Sequence, residues 1–287
     1  MKDILKEIKQ TLEFLGFISL LKILNFFTFN QTSKIGSFLI GFFGRYSRYE
    51  RVISNNLNVL NYEKNFKRQI TIKNLQQMGR VFFEFLNLDK FNWNNLEVKN
   101  NFNLKVIKNY NGSRIFISAH IGNWELTRNY LLNEGFTLHS VYRQANNLKI
   151  DNFIQRKRNK KNAFFYKKGS ESAKNMIKAL KNREDLALLV DQRDSSGPLI
   201  NFFGSKAYTT DGFANLALKY KTMICPVYTI RNVDNSFQFI YDKPMPYEEF
   251  KNYNSQTLTQ KIYSEYYEKW ISNHPEQWLW AHERWRK

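Results

Sequence analysis

Cysteine is almost missing from this chain. The single residue, Cys225, lies in the apolar run MICPVYTI, so an internal disulfide framework and a cysteine zinc site are both excluded. A buried, inert thiol is what that setting predicts, and a reducing compartment fits it. Prolines number five and glycines twelve, and no Pro/Gly-rich linker, low-complexity tract or internal repeat divides the 287 residues. An unbroken apolar run of ~18 residues, the usual minimum for a spanning helix, does not occur. The nearest, LEFLGFISLLKILNFFTF (12–29), is interrupted by Glu13, Lys22 and Asn25, and the N-terminus does not read as a cleavable signal peptide. No Gly-x-Ser-x-Gly elbow appears, so no protein nucleophile announces itself.

Acidic residues are also short. Lys and Arg number 44 against 25 Asp and Glu, a net charge of +19. Such a field attracts anions: nucleic acid, an anionic membrane surface, or an acidic protein or substrate. Lys and Asn are abundant throughout, so part of the basicity is compositional. A nucleic-acid-binding protein would suit the charge and the aromatics. However, no zinc finger or RNP-type block is present and the charge is spread along the whole chain, so no nucleic-acid partner is expected.

What is present supports a large core: 43% apolar and 16% aromatic residues. Residues 1–100 read as helical. Within them, 12–29 and SFLIGFFGRYSRYER (37–51) mix apolar, aromatic and cationic residues, with Arg45, Arg48 and Arg51, and farther on Arg68. That mixture suits a membrane-surface or shallowly inserted helix, and a buried N-terminal helix pair would carry the same pattern. The expected division is therefore a helical, membrane-associated region over 1–100 and an α/β domain over 101–287, the two forming one structural unit.

From residue 105 strands alternate with helices. Strands are expected at 114–120, 137–143, 185–192, 223–232 and 236–246. Helices are expected at 123–135, 149–161, 170–184 and 209–221, with a long C-terminal helix over 255–280 that breaks near Pro275. The alternation predicts a mostly parallel central sheet flanked by helices. Sites in such sheets lie at the carboxyl ends of strands, where His120, Arg143 and Asp191 all stand.

His120 ends its strand and Glu125 falls in the first turn of the next helix. A neutral imidazole can take a proton from a hydroxyl, and a carboxylate on its other nitrogen would fix the tautomer. The turn Ile121-Gly122-Asn123 could bring the two together, Gly122 permitting unusual backbone angles. The spacing by itself is equally that of a hydrogen-bonded structural histidine.

Four blocks occur in order: HIGNWEL (120–126), VYRQANN (141–147), VDQRDSSGPLINFFG (190–204) and HPEQWLWAHERWRK (274–287). Together they resemble the bacterial lipid A biosynthesis acyltransferase family, the late acyltransferases that act on Kdo-bearing lipid A precursors. The likeness runs from residue 55 to the end, with a more distant relation to the glycerolphosphate acyltransferases. It implies a membrane-bound enzyme at the cytoplasmic face of the bacterial inner membrane. Such an enzyme moves a fatty acyl chain from acyl carrier protein, or coenzyme A in some relatives, to a hydroxyl of a phosphorylated glycolipid. It implies no metal and no cofactor beyond the acyl donor. His120 would be the general base and Glu125 its orienting partner. Arg143 would hold phosphate, although Gln144 stands where the family carries proline. Arg156, Arg158 and Asn123 would bind substrate, and Asp191 and Gln192 would support the site. NFFG (201–204) would line the acyl channel or pack in the core. Trp278, Trp280 and Trp285 beside Arg284, Arg286 and Lys287 would suit a membrane interface or pack on the N-terminal helices. A different glycolipid acceptor would leave all of this unchanged.

Overall fold

The computed structural model describes residues 2–286. Four helices come first: α1 (Lys2–Leu24), α2 (Phe29–Phe43), α3 (Arg48–Asn56) and α4 (Lys64–Leu86). Thr28 caps α2 in a reciprocal box with Gln31, satisfying two donors that a helix start leaves open. Within the stretch read as helical, α3 and α4 are separated at Asn61, which takes a left-handed conformation with φ +51°. α2 and α4 cross at two glycines. A Cβ on Gly36 would sit 2.3 Å from the Gly79 carbonyl oxygen, so no larger residue allows the backbones this close.

The sheet follows: β1 (Leu96–Lys99), α5 (Asn101–Asn109), β2 (Arg114–Ser118), α6 (Trp124–Asn133), β3 (Leu138–Tyr142), α7 (Leu148–Arg158), β4 (Ala163–Lys167), α8 (Ser170–Lys181), β5 (Asp185–Leu189). A hairpin of β6 (Leu199–Phe202) and β7 (Ser205–Tyr208) leads to α9 (Gly212–Tyr220), β8 (Met223–Arg231) and β9 (Phe237–Tyr241). The C-terminal helix runs through α10 (Ser255–Ile262), a π-helical turn (Tyr263–Tyr267) and α11 (Glu268–Asn273). The seven-stranded order is β1-β9-β8-β2-β5-β3-β4, parallel throughout except for β8 with β9.

The α/β class with a mostly parallel sheet and a long C-terminal helix is as the alternation predicts. Four strands are additional: β1, β4 and the β6–β7 hairpin. β1 lies inside the stretch read as helical and pairs with β9. β4 is a half-exposed edge strand, and its short AFFY run directly follows the helix expected over 149–161. The NFFG block forms the β6–β7 turn, with Phe203 at φ +52° and Phe202 fully buried, so it packs in the core and does not line a channel.

One irregularity prepares the site. β3 pairs with β4 along its whole length but meets β5 only at Leu138–Asp185 and His139–Leu186. Beyond that point the two strands part, and the sheet is open at its carboxyl end.

The C-terminal tail is core. Trp278 and Trp280 are buried, and Arg284 is fully enclosed, donating to the Tyr208 carbonyl (2.7 Å) and to Thr209 Oγ1 (2.5 Å). A membrane-interface role for these tryptophans is therefore corrected: the rings pack on Phe202 and on one another. Trp280→Ala should cost about 3–5 kcal/mol in unfolding free energy. Phe26→Ala, at 89% exposure, should cost under ~0.5 kcal/mol. Denaturant titration of the two variants checks the contrast.

Candidate active site

β2 is a buried strand whose residues Ile115, Phe116 and Ile117 carry the chain through the core. It delivers His120 to the carboxyl edge. There the backbone is fixed from several sides. The His120 amide donates to Asp191 Oδ2 (2.8 Å), and its carbonyl accepts from the Leu279 amide (2.8 Å). Ile121 bridges to Trp278, and the Gly122 amide donates to the Gln277 carbonyl (3.0 Å). Gly122 has φ +55°, and a Cβ there would fall 1.7 Å from the Thr229 carbonyl oxygen, so glycine is required on both counts.

The imidazole is held by Asp191. Nδ1 lies 2.8 Å from Asp191 Oδ1, and Trp278 Nε1 donates to Oδ2 of the same carboxylate (2.7 Å). Burial alone would raise the Asp191 pKa. The His120 ring, the His120 amide and the Trp278 indole together bring it below the ordinary carboxylate value. A carboxylate at Nδ1 assigns the proton to that nitrogen and leaves Nε2 as the base facing the cavity. Trp124 meets the ring edge-on at 5.1 Å.

Glu125 occupies a different place from the one expected. It is buried and its carboxylate pairs with Arg158 Nη2, at the end of α7. The orienting partner of His120 is thus Asp191, not Glu125. The physical reason is backbone placement. Asp191 follows β5 directly beside β2, whereas Glu125 on the first turn of α6 is directed toward α7. Asp191 had been expected to support the site, and it does so as the direct partner of the histidine.

The remaining expected residues divide. Arg143 and Gln192 line the same cavity as His120, Glu125 and Arg158. Arg143 also lines a neighbouring cleft with Lys6, Lys167 and Lys168. Asn123 is corrected: it is fully buried and its side chain is consumed. Its Oδ1 accepts from the Glu125 and Leu126 amides (3.1 Å each) as the α6 cap, and its Nδ2 donates to Glu84 Oε2 (2.8 Å). It cannot reach a substrate. Arg156 is exposed and lines neither cavity; consecutive residues of the basic run at the end of α7 point different ways, and only Arg158 turns inward.

The cavity is about 1010 Å³. Its apolar lining includes Val141 of β3 and Leu188 of β5, past the point where those strands part, together with Leu131, Met176, Phe213 and Leu216. Two lining groups had no signal in the sequence. His282 faces the cavity with its pKa lowered, chiefly by burial and against the pull of Asp191. Arg128 on α6 is the other.

The family model for bacterial lipid A biosynthesis acyltransferases matches residues 2–287. The chain belongs to that family. No curated protein matches this sequence. Among solved structures, the 1-acyl-sn-glycerophosphate acyltransferase PlsC from Thermotoga maritima is similar at 11% identity, covering 86% of this chain and 99% of that one, with a TM-score of 0.41. In this member of the family, then, the His-x4-Glu block places both side chains in one cavity without joining them.

Because the Asp191 pKa is depressed in the folded state, its stabilisation is present above the unfolded carboxyl value of about 3.9. It is lost as pH falls through the lower folded value. Asp191→Asn should therefore be less stable than wild type at neutral pH, and the gap should close below about pH 4. Thermal unfolding of both proteins across pH reads this directly.

Proposed function

We propose that this acyltransferase moves a fatty acyl chain from an acyl carrier protein thioester to a hydroxyl of a Kdo-bearing lipid A precursor, at the cytoplasmic face of the bacterial inner membrane. The observation that carries the reading is the union of an Asp-held histidine with an apolar cavity opening through the sheet. The apolar lining suits a hydrocarbon chain, and the arginines among the lining residues suit a phosphorylated headgroup.

The steps follow from the geometry. His120 Nε2 accepts the proton of the acceptor hydroxyl as that oxygen attacks the thioester carbonyl carbon. Asp191 stabilises the imidazolium that forms. The new C–O bond closes, the C–S bond breaks, and the imidazolium proton goes to the leaving thiolate. No acyl-enzyme is required, in keeping with the absence of a nucleophile elbow. Glu125 acts through Arg158, holding that cation at the cavity wall.

The N-terminal helices supply the membrane contact in this reading. Among the described residues no helix is long and apolar enough to cross a bilayer. α1 and α2 nevertheless expose Leu5, Leu12, Phe38, Phe42 and Phe43, and the loop between them exposes Phe26. Arg45, Arg48 and Arg51 are exposed at the end of the same apolar face. Apolar rings beside cations suit a helix lying in an anionic surface, each cation contributing about 1 kcal/mol. The same positive charge suits an acidic carrier protein.

Acyl transfer is tested with purified protein in detergent, a labelled lipid A precursor and a panel of carrier-protein and coenzyme A thioesters. His120→Ala should lose roughly two to four orders of magnitude. Asp191→Asn should lose a comparable factor by presenting the wrong tautomer, and Glu125→Ala should weaken transfer through the loss of Arg158 placement. Full transfer by His120→Ala would remove the base from the mechanism, while wild-type inactivity on this acceptor would redirect the reading to another glycolipid. Replacing Phe38, Phe42 and Phe43 together by aspartate should weaken sedimentation with anionic vesicles by at least ~100-fold.

A further inference from the structure

Arg128 is a buried cation without a counter-ion of its own. The residue is 9% exposed on α6, and among the described residues no hydrogen bond or ion pair is made by its guanidinium; its Nε is enclosed without a partner. The side chain lies over the Phe165 ring, 4.3 Å from the centroid, and Arg158 lies over the same ring at 5.4 Å. The nearest carboxylate, Glu125, is already taken by Arg158. Arg128, Arg158 and Glu125 all line the cavity that holds His120, and around the Phe165 ring two guanidinium groups share this one carboxylate. Burial pulls the Arg128 pKa down to about 10, which still leaves it charged at neutral pH. Lys160 adds a further positive charge, its own pKa lowered by partial burial and by Arg128.

An unpaired buried charge is among the costliest features a fold can carry. Chains discard such groups unless something arrives to pair with them. We infer that Arg128 and Arg158, laid on Phe165, form a subsite that binds one phosphate ester group of a substrate. A guanidinium presents two parallel N–H donors to phosphate oxygens, and the local surplus of positive charge suits a group carrying between one and two negative charges. Glu125 keeps Arg158 in place without cancelling Arg128. The subsite rests on the acyltransferase reading only for the source of the phosphate, which is either the acceptor headgroup or the phosphodiester of the carrier prosthetic group.

The test uses Arg128→Met, which keeps the packing on Phe165 and removes the charge. In phosphate-free buffer the variant should melt at or above the wild type, since the loss of an unpaired buried cation relieves its desolvation. Inorganic phosphate at fixed ionic strength should then raise the wild-type melting temperature and leave that of Arg128→Met unmoved. Neither measurement requires turnover, so they hold or fail apart from the proposed reaction. In acyl transfer, Arg128→Met should raise KM ~10- to 100-fold for whichever substrate supplies the phosphate, with Arg128→Lys intermediate. A rise for the phosphorylated acceptor but not its dephosphorylated form assigns the headgroup; a rise for the carrier thioester assigns the prosthetic group. A variant that melts well below the wild type makes Arg128 a structural residue, and equal phosphate protection in both proteins places the anion elsewhere. Either result overturns the subsite.

Discussion

The carboxylate of Asp191 is the junction on which the site depends. It is 2% exposed and accepts from the His120 amide, the His120 ring and the Trp278 indole. Those donors come from the end of β2 and from the C-terminal tail, while Asp191 itself follows β5. Three separate parts of the chain therefore converge on two oxygens. A carboxylate so deeply buried would favour its neutral form in an apolar setting, and it stays ionised because every approach to it carries an N–H. The same bonds that keep it charged fix the imidazole, so the stability of the junction and the orientation of the ring have one cause.

A second buried charge ties the N-terminal helices to this junction. Glu84 of α4 is fully enclosed and accepts from Ser33 Oγ of α2 (2.5 Å), from Asn123 Nδ2 (2.8 Å) and from Arg231 at the end of β8. Gln77, two turns earlier on the same face of α4, donates to the Gly122 carbonyl (3.0 Å) and accepts from Arg231 Nε (3.2 Å). The turn between His120 and Glu125 is thus built against α4 on one side and the tail on the other. Breaking a buried pair of this kind costs about 3–5 kcal/mol, so the helices that carry the exposed apolar face cannot shift freely against the site.

How much of this was legible in the sequence depends on whether the physics was local. The β2 run, the α6 start and the placement of His120, Arg143 and Asp191 at strand ends follow from hydrophobic pattern and alternation, which act over a few residues. β1 was not legible because its four residues owe their strand form to β9, some 140 positions away. β4 was hidden by its half-exposed edge position. The tail tryptophans carry the composition of an interface, yet Trp278 and Trp280 are buried beside Arg284, whose Nη1 and Nη2 donate to the Tyr208 carbonyl and Thr209, contacts that only the folded chain supplies. Asn123 was misread for a related reason. An asparagine before a helix signals a cap, and that bland signal proved the correct one.

The pairing of His120 shows why spacing alone could not name its partner. An orienting carboxylate must be held rigidly, and an aspartate leaving a central strand has a short side chain and a backbone fixed by its neighbours. Glu125 sits at the second position of α6, where the exposed amides and the helix dipole favour a negative charge. Its longer side chain reaches away from the sheet to α7 and captures Arg158. The five-residue interval therefore has its own meaning: it is the length of a strand-to-helix turn that sets a base on the sheet and an anion at the helix start, on two walls of one cavity. The anion then holds the Arg158 cation at the cavity wall. A direct contact between the two would spend Glu125 on the histidine and leave Arg158 as unpaired as Arg128.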